Sequence, residues 1–169
     1  RWMKEQVLDI SKEQRQVFFE YLQENLRPEN ATYLYDPFFE NCATKPKDIL
    51  IELIQDVHLN ESYVKKNESI RSLMNDKLSQ NTWGSFGINL ALGSLIDKEA
   101  SANDYLYLPE YVYLSIQNAT VNNKPLVKED KNILAFQKKD SSFSFFNPFL
   151  VLSFLFLIGL GVTMRDYKK

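Results

Sequence analysis

Cys42 is the only cysteine of the chain. It stands where an aromatic, turn-rich segment, Tyr33-Leu-Tyr-Asp-Pro-Phe-Phe-Glu-Asn-Cys-Ala-Thr44, runs into a cationic, helix-like stretch. A thiol is a useful nucleophile only as thiolate, and the unpaired N–H groups and partial positive charge at a helix start lower a thiol pKa. The same N–H groups could hold an oxyanion. The residue types therefore suit a nucleophile. The alternative stays open that Cys42 packs as a small buried hydrophobe, as lone cysteines commonly do.

The element that must position the thiol can be read from spacing. Ile49, Leu50, Leu53, Ile54 and Val57 form one apolar stripe of a helix, so Cys42 is expected to open a buried helix. Thr44 suits its N-cap, with Pro46 then in the first turn; Asn41 as cap would leave Pro46 deeper. Asp36 could fix the turn ahead of the cysteine, and Asn41 could orient the loop or bond near an oxyanion. Tyr33 and Tyr35 could line an acyl-chain slot, whereas Phe38 and Phe39 are expected in the core. The single histidine, His58, is expected at the far end of the same helix, about 24 Å from Cys42 along its axis and out of reach. One Cys and one His cannot assemble a zinc site of the usual ligand number without carboxylates, so neither metal nor cofactor is expected. A single cysteine also leaves no internal disulfide.

The remaining elements supply a scaffold. Ser11-Lys-Glu-Gln14 resembles a capping box and predicts a helix from 12 to 26, ending before Pro28. Residues Tyr63 to Ser79 predict a partly exposed helix, and Trp83 to Leu95, despite three glycines, a packed one. A short helical or turn segment broken at Pro109 follows. Ala119 to Lys128 and then Asn132 to Phe136 predict a β-hairpin with Asn122-Asn123 at its first turn. From Phe143 to Met164 there is no charge; roughly 20 such residues span a bilayer, and a core helix of that length normally shows a polar face. The basic tail, Arg165 to Lys169, places that end in the cytoplasm by the positive-inside rule, although Lys138 and Lys139 flank the other side. The expected organisation is an extracytoplasmic part over 1–140, a transmembrane helix over 143–164 and a cytoplasmic tail over 165–169. A net charge of −2 and no long basic run argue against a nucleic-acid partner.

Two blocks carry a resemblance. Tyr35-Asp-Pro-Phe-Phe-Glu-Asn-Cys-Ala-Thr-Lys-Pro-Lys-Asp-Ile-Leu50 is similar to the Tyr-Asp-x-Phe-x-x-Asn-Cys-Ala-Thr-x-x-x-Asp-x-Leu signature of the Lnb-type lipoprotein N-acyltransferases, in their periplasmic domain. Trp83-Gly-Ser-Phe-Gly-Ile-Asn-Leu-Ala-Leu-Gly-Ser-Leu-Ile-Asp97, with Ala100 and Tyr107-Leu-Pro-Glu110, resembles a second stretch of that family, in matching order and spacing. The resemblance implies a mainly α fragment with a β-hairpin, part of a circularly permuted papain-like α+β domain like that of the lecithin:retinol acyltransferase relatives, followed by one transmembrane helix. It implies Cys42 as nucleophile, with Asp36, Asn41, Ala43 and Thr44 supporting it as oxyanion or loop-orienting residues. The implied base is a histidine preceding the cysteine in a Gly-His segment. None is present, and the start at Arg1-Trp2-Met3 reads as the middle of a domain, so the fragment alone is expected to be inactive. The implied reaction moves an acyl chain from a phospholipid, through a Cys42 thioester, to the N-terminal cysteine amine of a lipoprotein at the periplasmic face of the inner membrane. The partners are then the phospholipid donor, the lipoprotein acceptor and the membrane itself. A cysteine amidase or peptidase acting on cell-wall peptide, or a non-catalytic membrane-tethered binding module, are the alternatives.

Overall fold

Ser11 and Gln14 close their capping box: the Ser11 hydroxyl accepts from the Gln14 N–H at 3.2 Å, and the Gln14 side chain accepts from the Ser11 N–H at 2.8 Å. Helix α1, Lys12–Asn25, follows from it. Of its apolar residues Phe18 turns toward the core, whereas Val17 and Leu22 stay exposed. Ser11→Ala is expected to cost about 0.5–2 kcal/mol in denaturant unfolding, the usual loss for such a cap. The computed structural model describes residues 2–65, 68–135 and 144–168. It comprises two compact units, one of Arg1–Asn67 with Ala100–Lys138, the other of Glu68–Glu99 with Lys139–Lys169.

In the first unit the cysteine is followed by α2, Thr44–Leu53. Leu50 and Ile54 from its apolar stripe join Ala119 and Leu126 in the buried core, with Leu8, Ile10, Phe18, Val57 and Ile116 packed around them. The stripe outlasts the helix. Ile54 is already extended and Asp56 adopts φ 58°, so the chain leaves α2 and enters a short strand, β2, Val57–His58. His58 is thus a strand residue paired with Thr120, which corrects its expected place at the end of a continuous helix.

β2 pairs antiparallel with β3, Thr120–Val121, which pairs with β4, Lys124–Pro125. Asn122 and Asn123 both take positive φ, 49° and 61°, as a two-residue I′ hairpin turn requires. The strand after this hairpin departs from expectation. β5, Val127–Ala135, pairs antiparallel with β1, Trp2–Leu8, a strand that no alternation of apolar and polar residues had marked. Opposite charges face each other there at Glu5 and Lys131. Phe136 lies outside the described residues.

Two short helices, α5, Ala102–Tyr105, and α6, Pro109–Gln117, complete the unit, with Pro109 opening α6 where its missing N–H costs nothing. Tyr63 was expected on a helix but is buried in a loop, its ring 5.8 Å from those of Tyr105 and Tyr111, and its hydroxyl donates to the Ala102 carbonyl at 3.0 Å. Burial pushes its pKa up to about 12.

In the second unit the expected helix over Tyr63–Ser79 reduces to α3, Ile70–Asn75, capped by Ser69. α4, Trp83–Leu92, forms as predicted and stops at Gly93, whose φ of 55° with ψ of −148° suits only a residue without Cβ. A 3₁₀ turn, Gly93–Ile96, continues it. The helix is not the packed one expected: Leu90 and Leu95 are 72% and 85% exposed, and nothing lies within 4 Å of a Cβ built on Gly87. α7, Pro148–Tyr167, is the one candidate membrane-spanning helix among the described residues, and 6% of its most apolar window is buried. Asn147 caps it, its side-chain oxygen accepting from the Leu150 N–H at 2.9 Å. The helix continues past Met164, and Arg165 lies in its last turn, where a cation complements the dipole. Phe143, taken as the start of the span, lies outside the described residues.

Candidate active site

The segment before the thiol is folded by its own polar side chains. One Asp36 carboxylate oxygen accepts from the Phe38 and Phe39 N–H groups at 2.8 and 3.0 Å, and Asp36 and Glu40 exchange backbone hydrogen bonds at 3.0 and 3.1 Å. This closes a tight loop over Pro37 to Phe39. Phe38 turns inward, edge-on to the Tyr107 ring at 5.1 Å, while Phe39 stays 53% exposed and so is not the core residue expected.

Asn41 is the centre of the arrangement. It is buried, and its amide makes four hydrogen bonds: Nδ2 donates to the carbonyls of Pro37 at 2.8 Å and Tyr107 at 2.9 Å, and Oδ1 accepts from the N–H groups of Ala43 at 2.8 Å and Thr44 at 3.1 Å. The Asn41 N–H donates to Thr44 Oγ1 at 2.9 Å, and the Asn41 carbonyl accepts from the Lys45 N–H at 3.1 Å. Asn41 and Thr44 therefore form a reciprocal capping box with asparagine as the cap. Thr44, the expected cap, is the returning partner instead. Pro46 accounts for the late start of regular helix: it has no N–H to give the Cys42 carbonyl, so the uninterrupted ladder begins at Thr44.

Cys42 sits in the first turn of this clamped start and is exposed, while Asn41, Ala43 and Thr44 around it are buried. The thiol is thus presented to solvent rather than packed as a small hydrophobe. The clamp also apportions the donors. Ala43 and Thr44 spend their N–H groups on Asn41, and the Asn41 amide donates to the Pro37 and Tyr107 carbonyls, so all four bonds of the Asn41 side chain hold the loop. The Cys42 N–H has no hydrogen-bond partner among the described residues.

Three and seven residues on from Cys42, Lys45 and Ile49 fall on the same helical face. They line a cleft of ≈ 450 Å³ together with Tyr21, Leu26 and Tyr33. Lys45 is ion-paired with Glu40, which holds its pKa above the usual lysine value, and its ammonium lies 5.0 Å from the Tyr33 ring centroid. Tyr35 contacts the Tyr33 ring, centroid to centroid 6.4 Å. His58 makes no hydrogen bond with Cys42 among the described residues.

Tyr107 was missed as a site residue. Its carbonyl anchors Asn41 from a distance of 66 residues, its ring covers Phe38, and its buried hydroxyl has no partner among the described residues. Burial pushes that hydroxyl's pKa up to about 12. The signal lay in the Tyr107-Leu-Pro-Glu110 stretch, which carries the second block of resemblance.

An exposed thiol on a buried, side-chain-clamped helix start is a candidate cysteine site, set in a chain about half helical with small antiparallel sheets and, among the described residues, one helix long and apolar enough to cross a membrane. Residues 1–76 of the 169 match the family model described as the Lnb N-terminal periplasmic domain, the family to which the sequence motif around Cys42 points. The match contains Asp36, Asn41, Cys42 and Thr44; the second block, from Trp83 on, lies beyond it. No curated protein and no solved structure was found to match the chain. The periplasmic family and the apolar C-terminal helix together describe a membrane-anchored protein with a periplasmic part.

Proposed function

We propose that the protein is a thiol acyltransferase, in which Cys42 carries an acyl chain from a phospholipid to the N-terminal amine of a lipoprotein. The observation that carries this reading is the exposed thiol two residues ahead of α2, held by the buried Asn41–Thr44 clamp within the stretch that matches the family model. The Cys42 thiolate attacks the ester carbonyl of the donor, and the lysophospholipid alkoxide leaves with a proton from the protonated base. A thioester remains on Sγ. The lipoprotein amine then attacks it, an amide forms, the thiolate leaves and the base takes the amine proton. Two half-reactions through one covalent intermediate give ping-pong kinetics.

Within this reading the Cys42 N–H supplies the oxyanion donor, and the cleft beside Lys45, Ile49 and Tyr33 takes the acyl chain. The domain is a circularly permuted papain-like one, its base a histidine ahead of the cysteine. Residues 1–41 hold no histidine, so the 169 residues alone are expected to be inactive. α7 crosses the inner membrane with its N-terminal end at the periplasmic face, because Arg165 and Lys168 lie at the other end. Donor and acceptor both reach the thiol from the outer leaflet.

The test uses the full-length protein and its Cys42→Ser variant with phospholipid bearing a labelled acyl chain. Hydroxylamine-sensitive label on the wild type and none on the variant is the expected result. A folded wild type that takes up no label, or a variant that labels equally, would sink the thioester. Mass analysis of the lipoprotein N-terminus then separates transfer to the amine from hydrolysis.

A further inference from the structure

α4 and the 3₁₀ turn after it are built inside out. Ser85 is buried and Asn89 half-buried on the inner side, while Trp83, Phe86, Ile88, Leu90 and Leu95 are exposed. No charged residue occurs between Lys77 and Asp97. The inner side is a polar network. Asn89 Nδ2 donates to Asn75 Oδ1 at 2.8 Å and to the Ser85 carbonyl at 2.9 Å; the Arg71 guanidinium donates to Asn89 Oδ1 at 2.6 Å and binds the Gly93 carbonyl and Asp97. A helix facing water turns its apolar stripe inward. This one pairs its polar groups with protein and leaves hydrocarbon outside, as a helix does when its outer side meets lipid.

Where that lipid would be is indicated by the tether to α7. Trp83 Nε1 donates to the Phe146 carbonyl at 3.0 Å, the two rings lie 6.1 Å apart, and the Phe149 N–H donates to Asn81 Oδ1 at 3.2 Å. The start of α4 is therefore joined to the start of the spanning helix. That is the depth at which tryptophan is enriched in membrane proteins, its ring in apolar surroundings and its N–H satisfied. An open apolar groove of ≈ 360 Å³ runs between the two helices, lined by Ser85 and Phe86 on one side and Phe149 and Leu152 on the other.

We infer that α4 and its 3₁₀ turn are a second membrane-contacting element. They lie in the outer-leaflet interface beside the start of α7, with Phe86, Ile88, Leu90 and Leu95 among the acyl chains and the Arg71–Asn89–Asp97 network on the protein side. The occupant of the exposed face is the bilayer. This inference rests on α7 crossing the membrane as proposed above, and the experiment separates the two.

Spin labels placed one at a time at Leu90→Cys, Leu95→Cys, Phe156→Cys and Lys128→Cys, in a Cys42→Ser background of the full-length protein in phosphatidylethanolamine/phosphatidylglycerol vesicles, report collisions with oxygen and with a water-soluble nickel complex. The expected result is oxygen collision exceeding nickel collision at 90, 95 and 156, and the reverse at 128. Lipid accessibility at 156 with nickel-rich collision at 90 and 95 would overturn the interfacial helix while leaving α7 as a span. Labels at 90 and 95 shielded from both reagents would overturn it too, showing the face covered by protein. Nickel-rich collision at 156 as well would remove the span, and the inference with it.

Discussion

Asn41→Ala is expected to destabilise the protein by roughly 3–5 kcal/mol and to remove any thioester formation at Cys42, although residue 41 forms no bond to substrate. The substitution deletes a helix cap, worth about 1 kcal/mol. It also strips the Ala43 and Thr44 N–H groups and the Tyr107 carbonyl of their partner inside a buried region, at about 1–3 kcal/mol for each group left unsatisfied, less whatever water relieves. Losses of that size are unusual for a single polar residue and mark a network. Asn41→Asp separates the two halves of the clamp. Its carboxylate still accepts from Ala43 and Thr44, and a negative charge is favourable at a helix start. It can no longer donate to Pro37 and Tyr107, and it sets an anion against their carbonyls. Denaturant unfolding should place Asn41→Asp between wild type and Asn41→Ala, and labelled-phospholipid assays should show both variants impaired. If Asn41→Ala unfolds at the wild-type midpoint, the clamp does not hold the thiol and the account of the site fails.

That clamp shows what a sequence reveals and what it leaves out. Asn41-Cys-Ala-Thr44 contains the cap and its partner at capping-box spacing. The choice of Thr44 as cap turned on placing Pro46 in the first turn, yet both residues are accommodated, because Pro46 withholds an N–H only from Cys42 and delays the regular helix rather than forbidding the start at Asn41. The second anchor, the Tyr107 carbonyl, is a tertiary contact 66 residues away that no local pattern encodes. The same limit explains β1. Trp2–Leu8 lacks clean alternation, and only pairing with β5 makes it a strand. His58 followed a local miss of another kind: apolar spacing continues through Val57, but the positive φ of Asp56 breaks the helix, and a single Asp in that conformation leaves no periodic trace. α1 and the Asn122-Asn123 turn were legible because the Ser11–Gln14 box and the two asparagines act within a few positions, whereas α6, left between helix and turn, has no side-chain cap and is opened rather than broken by Pro109. α4 was legible as a helix but not in its facing, since high apolar content reads alike for a helix in a protein core and one against lipid. Only the placement of Ser85 and Asn89 inward, with Leu90 and Leu95 outward, decides it.

α7 yields the other large effect. Its 20 residues extend about 30 Å, the thickness of a bilayer core, and from Phe154 on its apolar side chains are all exposed, so no protein face among the described residues competes for them there. Phe156 stands near its middle and is 65% exposed. Phe156→Arg places a cation at the depth where insertion is penalised by about 2.5–3.5 kcal/mol, and forfeits the favourable transfer of phenylalanine besides. In an insertion assay with residues 144–168 carried in a host membrane protein, Phe156→Arg should lower the inserted-to-excluded ratio by about a hundred- to a thousandfold, whereas Phe156→Leu should leave it nearly unchanged. Arginine nearer the end is a sharper control. Tyr167→Arg adds a cation beside Arg165 and Lys168, where a long side chain reaches the interface, and should not impair insertion. Equal insertion of Phe156→Arg and wild type would mean that α7 does not sit across the hydrocarbon, and it would take away the physical reason for setting the Cys42 chemistry at the membrane surface.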